Sequence, residues 1–145
     1  MKKALIAVLL PLVTVACGGD AAESGALPET ETSAGTVTIV TPTQGMSITG
    51  ASVTVQLSST VQILPAGDLT PATGHHHIFL DADLSEAGVP VPSVPGSIIH
   101  MGDGSSTFTF EEVAPGEHRL IVVIADGVHV PLQPWVVDTV TFTIN

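Results

Sequence analysis

The chain has 145 residues, 44% of them apolar, and 14 Asp plus Glu against 3 Lys plus Arg, a formal charge of −11. That length holds one domain, and a surface this acidic has nothing to hold a phosphate backbone, so nucleic acid is excluded as a partner. One cysteine rules out an intrachain disulfide, and the core must be built from apolar burial alone.

Residues 1–16 read as a signal peptide: Met1-Lys2-Lys3, then an apolar run from Ala4 to Ala16. Cys17 follows directly, in Val13-Thr14-Val15-Ala16-Cys17, which resembles the cleavage box of a bacterial lipoprotein. In such a protein Cys17 is lipidated and becomes the first mature residue. Thr14 stands where those boxes usually carry Leu. With Lys2 and Lys3 removed, one Arg faces fourteen carboxylates, a formal −13. Anionic headgroups repel such a domain, so the membrane is a partner only through acyl chains on Cys17. Residues 17–35 hold almost nothing large and apolar and read as a flexible acidic tether. Gly18 and Gly19 differ from the Asp-after-Cys pattern of inner-membrane retention. The expected location is therefore the cell envelope, at the outer membrane facing the periplasm.

From Thr36 the pattern changes to short alternating runs. Val37 and Ile39, then Val53, Val55 and Leu57, then Phe108 and Phe110, then Val140, Phe142 and Ile144 alternate with Thr, Ser or Gln. Period-two alternation rich in Val, Thr and Phe predicts strands. Pro42, Gly45, Pro65-Ala66-Gly67-Asp68, Pro95-Gly96, Gly102-Asp103-Gly104 and Pro115-Gly116 mark turns between them. The Gly102–Ser105 stretch reads as a hairpin, and Leu84–Gly88 is the one place for a helical turn. Seven or eight short strands over residues 36–145 predict an all-β fold, an antiparallel immunoglobulin-like β-sandwich.

All six histidines fall between His75 and His129. His75-His76-His77 opens a strand, so His75 and His77 share one face with Phe79 and Asp81, and His76 shares the other with Ile78 and Leu80. His76 is expected to be semi-buried and structural. His75 and His77, about 7 Å apart at Cα, can supply two ligands to a Cu or Zn ion. His118, His129 or His100 is the candidate third. His118 shares parity with Leu120, Val122 and Ile124, which argues partly against it. Asp81 and Asp83 are candidate partners for imidazole N–H groups. The competing reading packs these histidines at one end of the sandwich, where they satisfy buried backbone groups.

Thr73-Gly74-His75-His76-His77-Ile78-Phe79-Leu80-Asp81 resembles the signature of the bacterial family called domain of unknown function 4399. Ile99-His100-Met101-Gly102-Asp103-Gly104, Pro115-Gly116-Glu117-His118-Arg119-Leu120 and Ala125-Asp126-Gly127-Val128-His129-Val130-Pro131 follow in that family's order. The resemblance runs from about Gly74 to Ile144 and implies a secreted or envelope β-sandwich. Met101 stands where an aromatic residue is common, and a thioether there suits copper better than zinc.

No enzyme is expected: the chain lacks a Gly-x-Ser-x-Gly elbow and a phosphate-cradling loop. Adjacent Glu111 and Glu112 point apart on a strand. Trp135 is expected to cover one end of the core. Two functions remain: a lipid-anchored envelope module that binds another envelope protein or has a structural role, or a periplasmic copper or zinc binder.

Overall fold

The computed structural model describes residues 35–145. The expected signal peptide, Cys17 and nearly all of the expected tether lie outside the described residues.

Nine strands form in chain order: β1 (Val37–Thr41), β2 (Met46–Ile48), β3 (Val53–Ser59), β4 (Gln62–Ile63), β5 (Thr73–Leu80), β6 (Ile98–Met101), β7 (Thr107–Phe110), β8 (Gly116–Ala125) and β9 (Val137–Ile144). They make two sheets. The small one has the order β1-β3-β7, and the large one β2-β9-β8-β5-β4, with β6 also paired to β5. Pairing is antiparallel except for β2 with β9 and β4 with β5. The expected all-β sandwich of two sheets is present, with nine strands among the described residues where seven or eight were expected, and with two short parallel pairs added.

Alternation builds the core between the sheets. Val37, Ile39, Val53, Val55 and Leu57 of the small sheet meet Ile78, Leu80, Leu120, Val122, Ile124, Val140 and Phe142 of the large one. Each fully buried side chain of this size contributes about 1.5–3 kcal/mol of transfer free energy. Across one seam Ile39 N donates to Asp138 Oδ2 at 2.8 Å, so a β9 carboxylate satisfies a β1 amide.

The large sheet is buried on its outer face as well. Phe79, Ile121, Val123 and Ala125 pack there with Ile98 and Val91, and Ala82 and Leu84 add cover. All eight residues of β5 are consequently buried. The cover is the long connection over residues 81–97. It holds no helical turn at Leu84–Gly88: Val89 N donates to Glu86 O at 3.2 Å and closes a simple turn instead. Gly102–Ser105 is not a hairpin either, because β6 and β7 belong to different sheets and the chain crosses between them there. Trp135 is 38% exposed, and its neighbour Val136 fills the core position expected of it.

Candidate metal centre

β5 places the site through its register. His77 pairs with His100 across the β5–β6 ladder. His75 pairs with Ala125, the last residue of β8. The chain then turns through Asp126–Val130 and brings His129 back over His75. Asp126 holds this turn: its Oδ1 accepts from Val128 N at 3.0 Å and Val130 N at 2.9 Å. His129 N donates to Asp126 O at 2.9 Å. His129 sits at φ 70, a left-handed conformation that His adopts more readily than most residues.

His75, His77, His100 and His129 thereby converge, with one nitrogen from each ring inside a 4.8 Å span. His75 Nε2 lies 3.0 Å from His77 Nε2, 3.1 Å from His100 Nε2 and 3.2 Å from His129 Nδ1. A ring nitrogen has a single in-plane bonding direction, so one proton cannot satisfy three such neighbours. A cation among the four lone pairs can.

The ring centroids stand near the corners of a tetrahedron, while the ring nitrogens are less even, 3.0–3.2 Å from His75 Nε2 and within 4.8 Å of one another overall. The six centroid separations are 4.8, 4.9, 5.1, 5.0, 5.6 and 4.6 Å. A square would show two long diagonals, about 1.4 times the sides, one across each pair of opposite corners. Here the longest separation, 5.6 Å for His77–His129, is opposed by 4.9 Å for His75–His100. Metal–nitrogen bonds of about 2.0–2.1 Å with each ring centre about 1.1 Å further out give tetrahedral edges of about 5.2 Å.

Burial divides the four. His75 and His77 are 0% and 1% exposed, His129 is half-buried, and His100 is exposed. Burial, reinforced by the neighbouring imidazoles, pushes His75 down to about 4 and His77 to about 3. Burial and then His129 also lower His100, against the opposing pull of Asp103. The first three rings are therefore neutral at pH 7 and present lone pairs. His75 Nδ1 and His77 Nδ1, behind the site, have no hydrogen-bond partner. Packing, rather than a carboxylate behind the ring, orients the inner pair.

Gly102 makes room for His100. A Cβ on Gly102 would collide with Cε1 and Nε2 of the His100 ring. Gly127, in the turn that carries His129, packs against another segment instead: a Cβ there would strike the Asp68 backbone. Gly67 N also donates to Gly127 O at 2.9 Å.

The other candidates go elsewhere. His76 faces the inter-sheet core with Nδ1 donating to Ser105 O at 3.0 Å, while its Nε2 has no partner. His118 is not brought to the cluster. It lies on the opposite face of the large sheet from His75 and His77, as its parity with Leu120 implies, and stacks on Phe142 at 5.5 Å. Its Nδ1 donates to Asp81 Oδ2 at 2.6 Å and its Nε2 to Ala114 O at 2.8 Å. Asp81 and Asp83 serve the start of β8 rather than the cluster: Asp81 Oδ1 accepts from Arg119 N, and Asp83 pairs with the Arg119 guanidinium. Met101 is also displaced from its expected role. It is 3% exposed and packs in the main core, on the opposite side of β6 from His100, so no thioether joins the imidazoles.

Sequence reasoning missed the positioning residues. Asp126-Gly127 is absent from the turns expected from sequence, and Gly102 was expected only as a turn residue, because its contact with the His100 ring depends on how the chain folds back there.

An all-β sandwich with a convergent four-imidazole cluster is the class of protein defined by this fold and site. The family model described as Domain of unknown function (DUF4399) matches residues 53–145, and the chain belongs to that family. The match begins at Val53, well before Gly74, so the family unit includes β3 of the small sheet and β4 of the large one, which the sequence motifs did not reach. A comparison with curated proteins finds no match. Among solved structures, a crystal structure of an engineered protein from a structural genomics consortium is similar at a TM-score of 0.43 and 10% identity, over 77% of this chain. The present chain spans 20% of that one.

Proposed function

We propose that this protein is a metal-binding module of the bacterial cell envelope, which holds one divalent transition-metal ion through His75, His77, His100 and His129. The observation that carries this reading is the near-equal spacing of the four rings, 4.6–5.6 Å in all six pairs. Tetrahedral nitrogen coordination favours Zn(II). Cu(II) prefers a tetragonal field, and Cu(I) is selected by sulfur ligands, which this cluster lacks. Zinc is therefore placed ahead of copper. Four protein ligands leave no open coordination position for a substrate, which fits binding rather than catalysis. The lipoprotein-like signal supports attachment through Cys17 and a periplasmic setting.

A module that acts only through contacts with an envelope protein is the second reading. It gives no reason for three ring nitrogens to crowd His75 Nε2. The test is metal retention by the chain purified without a polyhistidine tag, loaded separately with Zn(II) and Cu(II) and dialysed. One zinc per chain, lost in the His75→Ala/His77→Ala double variant, is expected. No retention of either ion returns the protein to the second reading.

A further inference from the structure

The four ligands are unequal in a way that bears on how the ion enters and leaves. His75 and His77 are carried at the centre of the large sheet, on a strand hydrogen-bonded on both sides. Both rings are fully buried, so neither has the open solvent beside it into which an exposed side chain can swing. His129 is less buried, but its turn is tied down by both Asp126 hydrogen bonds and by Val91 N, which donates to His129 O at 2.9 Å. His100 is on β6, which pairs only with β5 among the described strands, and it is the one exposed ligand. Its ring reaches the cluster by lying across Gly102, a surface without a side chain.

We infer that the site is an exchange site rather than a structural one, and that His100 is the ligand that swings away to let zinc in and out. This rests on the zinc reading above. Rotation of His100 about its side-chain bonds exposes one coordination position to solvent while three imidazoles retain the ion. An incoming ligand, such as an imidazole or carboxylate of an acceptor, occupies that position before the remaining three bonds break. No bond other than metal–ligand bonds changes, and the charge of the ion stays the same.

The test is zinc transfer from the loaded full chain to a chromophoric chelator, followed in time at several chelator concentrations. The expected result is a rate that rises with chelator concentration, because the chelator attacks at the opened position. His100→Ala should still bind one zinc and release it at least about tenfold faster, since even an outer-shell partner is worth about 10–100-fold at a metal site. Gly102→Ala keeps the His100 imidazole but pushes it off the site, and should behave like His100→Ala. Release at a chelator-independent rate equal to that of unfolding overturns the inference, as does release from both variants no faster than from the parent. Those results leave zinc binding intact. Failure of the parent chain to retain zinc overturns the metal reading and this one together.

Discussion

His118 has an acceptor at each ring nitrogen, the Asp81 carboxylate on one side and the Ala114 carbonyl on the other. Both nitrogens must donate to satisfy both, so the fold favours the imidazolium. Burial works against that charge, but the Asp81 and Ala114 hydrogen bonds and the Asp81 charge outweigh it and hold the group above its ordinary 6.5. A base whose protonated form is favoured by folding contributes fully below its unfolded value and loses that contribution as pH rises through the folded one. Asp81→Asn should therefore lower stability by about 1 kcal/mol at pH 6, a magnitude reduced by the partial exposure of the pair. At pH 9 it should cost far less, since His118 is then neutral in the parent too. Urea unfolding midpoints at the two pH values check this, and an equal loss at both would remove the imidazolium from the account. At this scale strand parity made much of the site legible. It separated His75 and His77 from His76 and raised doubt over His118. It could not show that His100 faces His77, because residues 81–97 lie between their strands and no local pattern fixes a long-range register.

β5 is the element on which fold and site both depend. Its inner face carries His76, Ile78 and Leu80, and its outer face His75, His77 and Phe79. Phe79 is fully buried beneath Val91 and Ile98. Phe79→Ala should therefore cost about 3–5 kcal/mol, as a true core substitution does. A loss under 1 kcal/mol in chemical denaturation would mean that the 81–97 connection does not cover the sheet. Gly127→Ala should act on the adjoining turn. The added methyl meets the Asp68 backbone, which cannot yield as a flexible side chain would. Weaker zinc binding with little change in secondary structure is the expected result, measured by zinc titration and circular dichroism. Long strands were readable because β3, β5, β8 and β9 each run seven to ten residues. β2 and β4, with three and two residues, are too short to show alternation. Their parallel pairing depends on distant partners.

The whole molecule joins an acidic domain to an imidazole cage. Only Arg119 among residues 35–145 carries a permanent positive charge, so the net acidic charge attracts cations, within the reach that salt allows. A bound ion would join β5, β6 and the turn after β8, segments that come together only in the folded state. Binding that requires the fold stabilises it, by about 2.7 kcal/mol when free zinc is a hundredfold above its dissociation constant. The unfolding temperature should rise with zinc and return on chelation, and should not move in His75→Ala/His77→Ala. The most direct measurement is zinc K-edge X-ray absorption on the loaded chain without a polyhistidine tag. Four nitrogen scatterers at about 2.0 Å with the outer-shell pattern of imidazole is the predicted result. A six-coordinate shell of oxygen and nitrogen, or a sample that holds no zinc after dialysis, would contradict the account.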